Sequence, residues 1–142
     1  MYYFAYGSNM NLRQMKERCP NAHFLTKAKL YGYKFVYDGY SSFRKGAVAN
    51  IVEFKNSIVE GAVFEVDDEC IKNLDRFEGY PNFYQKKEVE VHGEDGKLYK
   101  ALVYLRKPLQ VGQPSNKYRE IVLQGALDCG LSQTYIETFI KA

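Results

Sequence analysis

The hydrophobic period of the chain changes at Asp67, and that change limits the folds open to it. Before it the chain reads as strands. Residues 22–38 form a β-rich segment heavy in Tyr and Phe and punctuated by Gly32. Residues 39–46, "GYSSFRKG", read as a loop by composition, and residues 47–54 and 58–66 read as two further strands joined by a short turn. After Asp67 the spacing becomes helical. "DDECIKNLDRFEG" carries Ile71, Leu74 and Phe77 three residues apart, with Asp67 or Asp68 placed as N-cap and Gly79 just past the end.

The remaining segments agree with a strand-rich middle flanked by helices. Residues 2–6 predict a first strand, and residues 11–18 a short helix with Leu12, Met15 and Arg18 on one stripe, stopped by Pro20. Residues 89–92 and 99–105 flank "GEDG", a hairpin signal. "PSNKYREIVLQGALDCG" predicts a helix capped by Ser115, with Tyr118, Ile121, Val122, Gly125, Ala126 and Cys129 on one face. Ser132 opens a last helix that turns Tyr135, Ile136, Phe139 and Ile140 inward. Strands in the middle and helices towards the end predict an α+β fold with a strongly curved, mostly antiparallel sheet, rather than a doubly wound one. The length, 142 residues, fits one domain spanning residues 1–142.

Charge and cysteines narrow the function classes. Lys plus Arg number 20 and Asp plus Glu 17, and +3 is too small to argue for a nucleic-acid or membrane partner. No apolar run is long enough to cross a bilayer, and no basic-then-apolar leader opens the chain. Cys19, Cys70 and Cys129 are odd in number and lack C-x-x-C spacing, which argues against a metal site and against a disulfide framework. A reducing cytoplasm is the simplest compartment for such a chain. The 13 tyrosines can line a pocket, fill a barrel or, on a surface, stack single-stranded bases; no basic-aromatic cluster accompanies them.

Few residues stand out as chemistry. Gly7-Ser8-Asn9 lies between a strand and a helix, where oriented amides bind anions or polarise carbonyls, but a plain structural turn has the same look. Ser8 has no G-x-S-x-G around it, and neither His23 nor His92 has a sequence reason to reach it. Glu78 sits at a predicted helix C-terminus amid Phe77, Tyr80, Phe83 and Tyr84. The negative end of the helix dipole and desolvation would both raise its pKa towards a general base, unless it is simply exposed before a C-cap glycine. Asp75, one turn earlier, reads as an exposed helical residue. Tyr84 and Tyr118 are either core aromatics or ligand hydroxyls.

Three stretches in this order resemble the γ-glutamylcyclotransferase family: "YFAYGSNM", then "GAVFEV" with "LDRFEGYPNFYQKKEVEV", then "PSNKYREIVLQGALDCGLSQTYIETF". Tyr-Gly-Ser-Asn is more similar to the γ-glutamyl-amino-acid branch than to the γ-glutamylamine branch, which shows Tyr-Gly-Thr-Leu. The resemblance implies a mixed barrel-like sheet with flanking helices and a pocket at one mouth. It implies that Tyr3, Phe4, Ala5, Tyr6, Gly7 and Ser8 form the substrate-binding loop, joined by Asn9, Tyr84 and Tyr118, and that Glu78 is the acid/base residue. It implies a small γ-glutamyl substrate cyclised to 5-oxoproline without metal or cofactor, by a monomer or homodimer. The loop "DGYSSFRKG" and the absence of a C-terminal extension set the chain apart from longer animal members. Other readings are a non-catalytic binding domain on the same fold and removal of a γ-glutamyl protecting group in biosynthesis.

Overall fold

A computed structural model describes residues 1–142. Five strands close into a barrel in the order β1-β3-β2-β4-β5. They are β1 (Tyr2–Ala5), β2 (His23–Ser41), β3 (Gly46–Glu65), β4 (Gln85–Gly93) and β5 (Leu98–Leu105). All pairings are antiparallel except β1 with β5, which is parallel and closes the barrel. The α+β expectation therefore holds, with a mixed, mostly antiparallel sheet.

Two expected breaks in the strands are absent. Residues 39–46 are not a loop: β2 and β3 pair out to Ser41 and Gly46, and only the four residues between them turn. Residues 55–57 are not a turn between separate strands either. They bulge within a continuous β3, opposite Gly32, between the pairs Tyr31↔Ile58 and Tyr33↔Glu53. Asn56 supplies the positive φ that reads locally as a turn, while cross-strand bonds on both sides keep the strand intact. The result is a long β2–β3 hairpin.

The helices follow their caps. α1 (Leu12–Arg18) starts from Asn11, whose side chain accepts the Gln14 N–H, and follows a short 3₁₀ turn, Ser8–Met10. α2 (Asp68–Glu78) is capped by Asp67, which accepts the Cys70 N–H, and ends at Gly79 in the left-handed conformation. α3 (Asn116–Asp128) is capped by Ser115, and α4 (Gln133–Tyr135) runs on into a π turn, Ile136–Ile140. Tyr118, Val122, Gly125 and Ala126 are buried along α3. A Cβ on Gly125 would collide with the backbone of Met10 and Asn11, so glycine lets α3 press directly against the Ser8–Met10 turn.

The core joins β1, both long strands, β4, β5 and the inner faces of α2 and α3 in one cluster. Nine of the 13 tyrosines are buried in it. Asp38 and Arg106, both buried, form an ion pair there. Asn50 adds bonds to Asp38 Oδ2 (3.2 Å) and to both backbone groups of Arg106 (3.0 and 3.1 Å). Together they fix the far half of the hairpin to the segment after β5.

The cysteine expectation needs correction. Cys19, the C-cap of α1, and Cys70, in the first turn of α2, are joined as a disulfide. Spacing along the chain could not reveal this, because two helices 51 residues apart in sequence meet only in the folded protein. Cys129 is free and buried.

Candidate active site

One mouth of the barrel gathers element ends. The turn after β1 brings Tyr6, Gly7, Ser8 and Asn9; the last residue of α2 is Glu78; Tyr84 stands just before β4; Tyr104 is near the end of β5; Tyr118 lies in the first turn of α3. With Tyr3 and Ala49 these residues line an inner cavity of about 30 Å³. Ser8, Glu78, Tyr84 and Tyr118 also line an outer cleft of about 330 Å³, so the two form one recess of small-molecule size. The sequence-chosen residues thus converge, with two exceptions. Phe4 and Ala5 are fully buried in the core and do not line the cavity, which Tyr3 reaches from β1 and Tyr6 from the turn after it.

The turn is stiff at its side chains and open at its backbone. Asn9, itself buried, donates to the Tyr3 hydroxyl (3.0 Å) and accepts from Gln14 (3.0 Å) and Arg18 (3.1 Å). Gln14 also donates to Ser8 Oγ (2.8 Å) and accepts from Arg44 (3.1 Å). The backbone N–H groups of Gly7, Ser8 and Asn9 have no acceptor within the protein. Neither His23 nor His92 lines the cavity, so Ser8 has no imidazole to activate it.

The tyrosines are held as neutral donors. Tyr6 donates to the Tyr104 carbonyl (2.6 Å) and Tyr84 to the Ala49 carbonyl (2.5 Å). The Tyr118 hydroxyl accepts the Ala49 N–H (3.0 Å), which leaves its own proton free for a ligand. Burial pushes the Tyr118 pKa up to about 12 and also raises those of Tyr3, Tyr6 and Tyr84.

Glu78 is the lone acid of the recess. Its carboxyl makes no hydrogen bond in the protein, although the residue is only partly covered. Desolvation raises its pKa from 4.5 to about 7, and Arg18, Arg44 and Arg106 pull the other way. The direction agrees with the sequence, but the aromatic neighbours differ. Phe77 and Phe83 reach only the outer cleft and Tyr80 lines neither cavity; Tyr3, Tyr6, Tyr104 and Tyr118 arrive from other elements. Asp75 is also not a plain exposed residue. It accepts from the Tyr104 hydroxyl (2.6 Å) and Lys86 (3.1 Å), and so positions a cavity wall.

Residues 3–125 match the family model for γ-glutamyl cyclotransferase, AIG2-like. The chain belongs to the γ-glutamylcyclotransferase family. It is similar to the γ-glutamylcyclotransferases of Mus musculus and Homo sapiens, 31% identical over 140 residues in each case. Those alignments cover 95% of this chain and 74% of each mammalian protein. A solved γ-glutamyl cyclotransferase superposes with a TM-score of 0.92 at 30% identity, over 100% of this chain and 86% of that one. Against this γ-glutamylcyclotransferase fold, sequence reasoning missed Tyr104, Ala49 and the arginines 18, 44 and 106. Arg18 carried a weak signal in the helical stripe of α1. Arg44 lay in the loop already marked as distinctive, and Arg106 gave none.

Proposed function

We propose that this protein cyclises γ-glutamyl compounds, releasing 5-oxoproline and an amine or amino acid. One observation carries the reading: a carboxyl group with its pKa near 7 and no internal partner faces a turn whose three N–H groups are unused. That combination supplies a proton carrier matched to neutral pH and donors for a carboxylate or a developing oxyanion.

In this mechanism the turn and the Tyr118 hydroxyl hold the γ-glutamyl moiety folded on itself. Glu78, ionised, takes a proton from the substrate α-ammonium. The freed nitrogen attacks the γ-carbonyl carbon, closing the five-membered ring, and negative charge gathers on the carbonyl oxygen. Glu78 returns its proton to the leaving nitrogen, and as the tetrahedral intermediate collapses the bond to that nitrogen breaks while the ring nitrogen gives up its second proton to the departing amine, which leaves as an ammonium. No covalent enzyme intermediate is required. Fixing the flexible chain in its cyclising conformation supplies several kcal/mol through proximity, on the order of the smaller effective molarities measured for such reactions.

The test is 5-oxoproline release from a panel of γ-glutamyl amino acids, amines and dipeptides, with Glu78→Gln as control. Release by the native protein and a loss of about 10²–10⁴-fold in the variant are expected. Tight binding without release would support the non-catalytic alternative.

A further inference from the structure

Beyond the catalytic groups, the outer cleft carries charge that the protein itself leaves unanswered. Arg18, Arg44 and Arg76 line it, and the lone carboxyl there is Glu78. None of the three arginines pairs with a carboxylate. The ion pairs of this chain are Arg13–Glu17, Lys27–Glu94, Lys86–Asp75, Arg106–Asp38 and Lys141–Glu137. Each cleft arginine is oriented instead by one neutral amide: Arg18 by Asn9, Arg44 by Gln14 and Arg76 by Asn73, each at 3.1 Å. A guanidinium has five donors, so each keeps several free.

Apolar surface stands beside this charge. Phe43, Phe77 and Phe83 line the same cleft and are 80%, 51% and 36% exposed. Arg44 lies over Phe43 (5.2 Å to the ring centre) and Arg18 over Phe77 (4.4 Å), which keeps rings and guanidinium groups side by side.

We infer that the outer cleft is a subsite for the departing half of the substrate, and that it selects leaving groups carrying an anion next to a large apolar or aromatic group while rejecting cationic ones. The inference rests on the cyclotransferase reading above. A γ-glutamyl compound anchored in the inner cavity must extend its leaving group past Glu78, and the outer cleft is contiguous there. A carboxylate on that group meets unpaired guanidinium donors, an aromatic side chain meets the phenylalanines, and a lysine or polyamine meets charges of its own sign.

The experiment measures binding separately from cyclisation. Calorimetry on Glu78→Gln compares γ-glutamylphenylalanine, γ-glutamylphenethylamine (the same ring without the carboxylate) and γ-glutamyllysine. The first is expected to bind about tenfold or more tightly than either other, the range of a charge-assisted hydrogen bond. Adding Arg44→Gln and Arg76→Gln should reduce the preference to about twofold. The same ranking is expected in kcat/KM of the native enzyme. Equal affinities, tighter binding of the lysine compound, or a preference that survives both arginine changes would overturn the subsite. A native protein that shows the preference yet releases no 5-oxoproline would keep the subsite and refute the activity. Release without preference would do the reverse.

Discussion

Glu78→Gln should cut turnover by about 10²–10⁴-fold and, at alkaline pH, make the protein more stable. The cause is the cost of keeping a carboxylate among tyrosines. Its pKa is about 7 in the folded protein against 4.5 ordinarily, so between those values the folded state binds a proton that the unfolded chain has released. Stability from this group is fully present below pH 4.5 and is lost as pH rises through 7. The gap from 4.5 to about 7 sets an upper limit of about 3 kcal/mol, at about 1.4 kcal/mol per unit of pKa. The cleft admits water, so about 2 kcal/mol is the working figure. Glutamine fills nearly the same volume and does not titrate. Urea denaturation of both proteins at pH 5 and pH 8 is the assay, and its readout is the change in their difference. The variant should gain about 2 kcal/mol on the native protein between the two conditions. The native rate of 5-oxoproline release should rise through an apparent pKa near 7, because the base must be ionised. Parallel pH dependence of stability in the two proteins would refute the burial argument, and a native-like rate in the variant would refute the catalytic one.

Tyr118→Phe should lower kcat/KM by a few-fold to about tenfold for the lost ligand bond, and should also cost about 1–3 kcal/mol because the Ala49 N–H loses its acceptor; steady-state kinetics and thermal melts check both. Cys70→Ser should leave turnover near native while lowering unfolding free energy by about 2–4 kcal/mol, since the disulfide closes a loop across 51 residues; a dead but folded variant would implicate thiol chemistry. Asp38→Ala should be the most destabilising single change, about 3–5 kcal/mol, because it strands the buried Arg106 charge; a denaturant midpoint close to native would mean that water reaches the pair.

Much of this was legible in the chain because the signals were local. Asp67 and Gly79 bracket α2 by cap chemistry alone, and Ser115 does the same for α3. Glu78 could be singled out because a helix end and its acid are adjacent in sequence. What stayed hidden depended on contacts between distant segments. Residues 55–57 read as a turn between two strands, and only the pairing across β2 and β3 makes them a bulge in a continuous strand. Tyr104 is an ordinary strand tyrosine until Asp75 takes its hydroxyl. Phe4 and Ala5 sit within the quoted motif and yet are buried away from the cavity, because a motif conveys neighbourhood in sequence and not which side chains reach the pocket.

The bond between Cys19 and Cys70 also governs how the recess can change shape. It does not act alone: the Asn73 side chain donates to the Arg18 carbonyl at 3.0 Å, and Arg18 lies over Phe77. The end of α1 is thereby stitched to α2 at three successive turns, and that side of the mouth behaves as a rigid jaw. The facing side is the four-residue turn bearing Phe43 and Arg44. It is closed by bonds from Arg44 and Lys45 back to Ser41 and tied across the mouth by the bond from Arg44 to Gln14 and by Arg44 lying over the Tyr118 ring. Accommodation of bulkier cargo therefore falls to one short hairpin tip, and insertions or deletions there would retune what the enzyme accepts without disturbing the jaw that bears Glu78.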